Sequence, residues 1–356
     1  MAIAGFETRE HDPRTRGELV GAALRGRIGV MWDGYERLFA TCGLPGDGVR
    51  AAGERALEQT AAWAPALAAE IGGLAGAAGL APWQAGALNA RTEILAGAGV
   101  RAECSTFAVA PREPGVPPRT IQTWDWYEHL RGNTLTLVLE PRPGHVVRVF
   151  TELGIVGKIG VNSAGLGLHL NILRHADDGG PAGVPVHVVA RRILDEAASV
   201  EEAAELARSA RVSASTSLTV VAWDGERASA RGLELSPAGL AELEPDGDGV
   251  LLHSNHFLDP RLAGGERNRA VDPTTAPRLA LLAARAGELR AAPDATARAA
   301  ALLHHGSELC CHPADGDPLA ERWETLATLS LDVAAARLRV HEGGPCAVEP
   351  AGWRVV

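Results

Sequence analysis

The pattern of apolar and polar positions changes character near residue 100. From about Thr15 to Ala98 apolar residues recur at helical spacing, broken by the turn-forming runs "CGLPGDG" and "GLAPW", which predicts a set of helices. From Cys104 to Leu173 short β runs follow one another between Pro and Gly: "CSTFAVA", "RTIQTWDW", "TLTLVLE", "HVVRVFTE", "GKIGVNS" and "GLGLHLN". Two helices come next. The first covers about Val186–Ala197, and the second opens at Ser199-Val200-Glu201-Glu202, where Ser and Glu can satisfy each other's backbone donors. Strands return at "TSLTVVAW", "ASARGLEL", "GLAELEP" and "GVLLHSN". A helical segment from about Pro277 to His304 precedes two last strands, "TLATLSLD" and "RLRVHEG". Two blocks of strands flanked by helices predict stacked sheets under helical layers. No internal repeat is visible, and no irregular tail beyond the first dozen residues is expected.

Composition narrows the class. With 356 residues, 46% apolar and 22% charged, the chain can fill one large domain or two ordinary ones. A net charge of −10 argues against a nucleic-acid-binding surface. Five cysteines (Cys42, Cys104, Cys310, Cys311, Cys346) are an odd number and imply no disulfide framework, which fits a reducing compartment. The first residues lack an apolar core of the secretory type. The Ala-rich region near Leu67–Leu88 is broken by Glu70 and Pro82 before it reaches the ~18 apolar residues of a membrane span. A soluble, cytoplasmic protein without membrane partners is expected.

Cys104 is the residue with the most chemical content. It is the first residue of a β run and has Ser105 and Thr106 behind it. That is the layout of an N-terminal nucleophile (Ntn) hydrolase, in which the freed α-amine serves as base for its own side chain. The competing reading is an inert buried thiol. The segments around "TWDW", "GKIGVNSAGLGLHLNIL", "HSNHF" and "TLATLSLD" tip the balance, because in this order they resemble the acyl-coenzyme A:6-aminopenicillanic acid acyltransferase family, from about Leu88 to Cys346.

The resemblance implies an α+β fold, the four-layer αββα sandwich of Ntn hydrolases. It divides the chain into a mainly helical part, residues 1–103, and a core, residues 104–356, which stay one structural unit after self-cleavage between Glu103 and Cys104. In that chemistry the Cys104 thiol attacks the Glu103 carbonyl and water hydrolyses the resulting thioester. The amine set free has a pKa near ~7.7–8.0, suited to act as base. Asp125, between Trp124 and Trp126, would hold that amine. Asn255 would donate its side-chain amide to an oxyanion. Arg278 would anchor a substrate carboxylate, with a solvated helix-face Arg as the alternative. Asn89, Arg91 and Glu93 match a family block ahead of the cut, where Arg91 would tie the two chains by a salt bridge. Ser217 is a supporting candidate in a strand. His253 and His256 are expected to pack or hydrogen-bond.

Two departures stand out. Glu103 occupies a position where the family carries Gly, which puts slow or incomplete self-cleavage among the expectations. Cys311 stands where the family carries Arg. "GIVGKIG" lacks the GxxxxGK[ST] of a phosphate loop and reads as strand-turn-strand. "HHGSELCCHP" gathers His304, His305, Cys310, Cys311 and His312, but without regular CxxC pairing, so neither a metal nor another cofactor is expected. Acyl-coenzyme A would enter only as a donor substrate. The function implied is a self-processing amidohydrolase or acyltransferase acting on a small-molecule amide or amine. An uncut, catalytically silent relative that binds a ligand or partner is the rival.

Overall fold

The computed structural model describes residues 3–96, 98, 103–303, 309–318 and 321–356. In chain order the elements begin with β1 (Ala4–Thr8), α1 (Pro13–Thr41), α2 (Gly46–Trp63), α3 (Pro65–Ala78), α4 (Pro82–Asn89) and α5 (Arg91–Ala96). Strands β2 (Glu103–Val109), β3 (Arg119–Tyr127), β4 (Thr134–Arg142), β5 (His145–Glu152), β6 (Ile159–Asn162) and β7 (Leu166–Ile172) follow, and then α6 (Val186–Glu196) and α7 (Val200–Ser209). Next come β8 (Thr216–Trp223), β9 (Ala228–Ser236), β10 (Gly239–Leu243) and β11 (Val250–His253). Helices α8 (Pro260–Ala263), α9 (Asn268–Val271), α10 (Thr275–Ala291) and α11 (Ala295–Leu302) precede β12 (Trp323–Asp332), β13 (Arg337–Glu342) and β14 (Arg354–Val355).

Among the described residues the strands form an eight-stranded sheet, ordered β1-β4-β5-β6-β7-β8-β9-β10, and a six-stranded sheet, ordered β11-β2-β3-β12-β13-β14. The two sheets face each other through β2 and β7. Helices α6 and α7 cover the outer face of the larger sheet, and α10 and α11 cover that of the smaller one. This is the αββα arrangement. The alternation along β2 follows from the pleat. Thr106 and Ala108 point between the sheets, where the Thr106 hydroxyl donates to Asn171 Oδ1 at 2.7 Å. Phe107 and Val109 point outward into a second apolar cluster with Leu282 and Leu289 of α10.

The helical part begins on a capped helix: Asp12 Oδ1 accepts the Thr15 N–H at 2.8 Å and Pro13 takes the first helical position. Helices α1 and α3 then pack backbone against backbone. A Cβ at Gly17 would lie 1.9 Å from the Glu70 carbonyl oxygen, and one at Gly73 2.2 Å from that of Arg14, so glycine is required at both.

Two details differ from the sequence expectation. Residues 4–8 are a strand that pairs in parallel with β4, so the mainly helical part also supplies an edge of the larger sheet. Too short for a periodicity signal, it is specified by its partner. The helix expected over 277–304 is two helices, divided at Pro293, with Asp294 capping the second through the Ala297 N–H at 2.8 Å; its expected end at His304 lies outside the described residues. Among the described residues no helix is long and apolar enough to cross a membrane.

Candidate active site

The ladder between β11 and β2 ends at the pair His253↔Thr106, so β11 stops short of Cys104. The chain turns there, and Asn255 fills the gap: its Oδ1 accepts the Cys104 backbone N–H at 2.8 Å. Asn255 is itself fixed on every side. Its N–H donates to Thr275 Oγ1 at 2.9 Å, its carbonyl accepts from Asn268 Nδ2 at 2.7 Å, and its Nδ2 donates to the Ile172 carbonyl at 2.9 Å. The amide orientation is settled by its partners. Two donors, Cys104 N–H and Arg278 Nη2, face the oxygen, while a carbonyl faces the nitrogen.

Arg278 is fully buried at the start of α10, which removes the solvated-face alternative. Its Nη1 donates to the Cys104 carbonyl at 2.9 Å and to Ser105 Oγ at 3.1 Å. Its Nη2 donates to Asn255 Oδ1 at 3.1 Å and to Asp272 Oδ2 at 2.7 Å. The guanidinium thus grips the backbone on both sides of Cys104 Cα, directly at the carbonyl and through Asn255 at the nitrogen, with Asp272 balancing its charge.

Asn171, which the sequence reading passed over, donates from Nδ2 to the Cys104 carbonyl at 3.1 Å. It belongs to a buried polar layer between the sheets. Gln122 Nε2 donates to Thr106 Oγ1 at 2.8 Å and to the Leu170 carbonyl at 3.0 Å, and His169 bridges Gln122 Oε1 and Thr120 Oγ1 at 2.9 Å each. His169 and Asn171, two apart in an otherwise apolar strand, were the available signal.

Asp125 is buried on β3, in register with Glu103 on one side and Thr325 on the other. Burial pushes the Cys104 thiol up to about 12, and the Asp125 carboxylate adds to this; Lys158, the Asp125 N–H and Arg278 oppose it. Cys104 is therefore a protonated, buried thiol at neutral pH in the continuous chain.

Lys158, the residue of the rejected phosphate-loop lookalike, lies behind Cys104. Its Nζ sits 3.7 Å from the centroid of the Trp124 ring, and Trp124 is the cross-strand partner of Cys104. Burial draws Lys158 down to about 7, partly opposed by the Glu152 charge. Burial alone would raise Glu152, but Arg91 and Lys158 outweigh it and carry that carboxyl down to about 2.

The same group of charges ties residues 1–103 to residues 104–356. Arg91 meets Glu152 at 2.8 Å, and the Tyr35 hydroxyl donates to Glu152 Oε1 at 2.5 Å. Asn89 accepts the Val156 N–H at 2.9 Å and donates to the Gly154 carbonyl at 3.0 Å. Glu70 pairs with Arg191 at 2.8 Å. Ser217 lies on β8 in register with Asn171, and its hydroxyl makes no hydrogen bond among the described residues. His253 bonds to Glu234 Oε1 at 2.9 Å, and His256 to Thr275 Oγ1 at 3.0 Å. A surface cavity of about 500 Å³ lined by Val109, Arg112, Arg119 and Arg290 lies at the far end of β2, away from this chemistry.

Glu93 gives a test of this buried junction. Its Oε1 accepts the Val186 N–H at 2.8 Å, yet burial raises the carboxyl to about 7. A raised folded pKa favours the fold below the unfolded value, near pH 4.5, and that advantage is lost as pH rises through about 7. Glu93→Gln keeps the acceptor and removes the charge. Relative to the parent, it should gain stability between pH 5 and pH 8, by at most about 3 kcal/mol, less the screening that partial exposure brings. Urea midpoints at the two pH values measure this; an equal difference at both would remove the assignment.

The sequence profile described as acyl-coenzyme A:6-aminopenicillanic acid acyl-transferase matches residues 114–346, a span that begins after Cys104. The 40 kDa form of the acyl-coenzyme A:6-aminopenicillanic-acid acyltransferase of Emericella nidulans is 32% identical over 172 residues, 48% of this chain and 46% of that protein. The chain thus spans about half the length of this curated relative. Among solved structures, penicillin V acylase from Agrobacterium tumefaciens is 14% identical with a TM-score of 0.42, over 70% of this chain and 84% of its own. A variant of the conjugated bile acid hydrolase from Clostridium perfringens is 11% identical with a TM-score of 0.45, over 70% and 92%. With the profile covering well over half of its length, the chain belongs to the acyl-coenzyme A:6-aminopenicillanic acid acyltransferase family.

Proposed function

We propose that this chain is a self-processing enzyme that cleaves or forms a small-molecule amide through a thioester on Cys104. One observation carries the reading. The backbone nitrogen of Cys104, the atom that self-cleavage would turn into an amine, is bonded to a side chain, Asn255 Oδ1 at 2.8 Å, at a point where the β11 ladder has already ended. A nitrogen held by a side chain can become a free amine without loss of a ladder hydrogen bond to β11.

The step begins with the Cys104 thiol attacking the Glu103 carbonyl. The C–N bond breaks, the thiol proton passes to the departing nitrogen, and a thioester forms. Water then hydrolyses the thioester, leaving a carboxyl group on residue 103 and restoring the thiol. The new ammonium places a positive charge beside the thiol, against the Asp125 carboxylate that raises it in the uncut chain. The thiol becomes more reactive after cleavage than before it, and the neutral amine takes its proton as a substrate carbonyl is attacked. Release of the acyl group to water makes the enzyme an amidohydrolase; release to a second amine makes it an acyltransferase, with acyl-coenzyme A as one source of the acyl group.

The test is intact mass under denaturing conditions, with a screen of N-acylated amines for release of free amine. Chains of residues 1–103 and 104–356 that co-purify, with amine release, support the reading. A single full-length species that turns over substrate overturns it. A single inactive species would favour the silent, ligand-binding relative, for which Glu103 in place of Gly and Cys311 in place of Arg are the motive.

Asp125 supplies a pH test. The groups acting on Cys104 are Asp125, which favours protonated forms, and Lys158 and Arg278, which oppose it. Asp125→Asn should lower the pKa of the free amine, so more of it is neutral at a given acidic pH. The acidic limb of the rate profile should move to lower pH, even if the maximum falls through misorientation. A limb that stays in place reduces Asp125 to a strand residue, and a limb that moves up contradicts the electrostatic role.

A further inference from the structure

Cys346 adds to the "CCHP" segment what that segment lacks in sequence. In the fold, His312 Nε2 lies 3.4 Å from Cys310 Sγ and 3.3 Å from Cys346 Sγ, and the three donor atoms all lie within 4.8 Å of one another. Sulfur and nitrogen ligands of a tetrahedral zinc ion, with bonds of ~2.3 and ~2.0 Å, stand about 3.5 Å apart. One N–H shared between two sulfurs in a three-centre hydrogen bond would make both contacts, and an ion held by all three atoms would make them as well. A ring nitrogen carries one proton or one lone pair, and here two sulfurs converge on the same nitrogen.

We propose that Cys310, His312 and Cys346 bind one soft divalent cation of the zinc type, and among the described residues no further side chain joins them, which leaves the fourth position to water. Two thiolates and an imidazole are the wrong donors for Mg²⁺ or Ca²⁺ and suit Zn²⁺. Two thiol protons leave for solvent as the ion binds, so that the two thiolate charges balance it. The site has a buried floor and an open rim: Cys310 is buried, whereas His312 and Cys346 are exposed.

The scaffold around it is specific. Cys311 anchors the segment by donating its N–H to Thr325 Oγ1 at 2.8 Å and accepting the Thr325 N–H at 3.1 Å. A Cβ at Gly344 would lie 2.7 Å from Cys310 Sγ, so the glycine leaves room for the thiol. Cys346 lies in the turn Pro345–Ala347 after β13, while Cys310 and His312 precede β12. An ion would therefore clip together the segments that flank the β12–β13 hairpin, in which Thr325 is in register with Asp125. Both thiols must lose their protons to bind the ion, so binding should tighten as pH rises.

The test is titration of the full, reduced and chelator-stripped protein with Co²⁺. The expected result is one equivalent bound with tetrahedral absorption and a thiolate charge-transfer band, displacement by Zn²⁺, and a raised thermal midpoint. Cys346→Ser, at an exposed position, should weaken binding by more than the ~10–100-fold typical of losing an outer-shell partner. Cys104→Ala should bind as the parent does. No cobalt spectrum, an unchanged spectrum in Cys346→Ser, or a spectrum lost in Cys104→Ala would each overturn the proposal. None of these readouts depends on self-cleavage or turnover.

Discussion

Cys104→Ala protein should run as one chain of 356 residues and release no amine from any acylated substrate, while keeping the fold and thermal midpoint of the parent within a small margin. The side chain is buried but small, and what holds this stretch in place is backbone: the N–H on Asn255 and the carbonyl on Arg278 and Asn171. Removing sulfur touches none of those bonds. Cys104→Ser is the sharper control. Its hydroxyl is a poorer nucleophile, so cleavage should be slower and incomplete, and any cleaved fraction should still have residues 1–103 bound. Arg91–Glu152, Glu70–Arg191 and the β1–β4 pairing all cross between the two parts. A Cys104→Ala protein that still splits at that bond, or still turns over, would end the assignment of Cys104 as nucleophile.

The fold was legible because its signals are local. Period-two runs and Gly/Pro punctuation gave most of the strands, and Ser199 gave a helix start that the structure keeps, with the Glu202 N–H on its hydroxyl. What escaped depended on contacts distant in sequence. β1 is a strand because β4 offers an edge. Asn171 reaches Cys104 from the opposite sheet, and Lys158 reaches Trp124 across the sandwich. Cys346 meets His312 only after β12 and β13 have folded back. Of the residues singled out, Cys104, Asn255 and Arg278 come together through direct hydrogen bonds, and Asp125 through its charge and backbone N–H. Arg278 touches the protein's own carbonyl, hydroxyl and carboxylate groups, a use that the sequence had no means of separating from substrate binding.

Asn255→Ala should leave the protein folded, slow its processing, and lower turnover of the processed form by ~10²-fold or more. In the proposed mechanism two functions of one amide contribute. The oxygen holds the Cys104 nitrogen, so its loss frees the amine to point away from the thiol it must deprotonate. The nitrogen is bonded to the Ile172 carbonyl in the uncut chain, and to stabilise an oxyanion it must leave that partner once substrate is bound. Asn255→Asp separates the two, because a carboxylate keeps the acceptor near Arg278 and has no N–H to donate. Turnover as low as in Asn255→Ala assigns the loss to the missing donor, whereas turnover near the parent assigns it to amine positioning. The expected result is the first, since charge on the oxyanion develops in the transition state and the acceptor bond is already made in the ground state. Single-turnover acylation rates on the processed variants give the comparison. If processed Asn255→Ala turns over like the parent, the residue only closes the turn after β11.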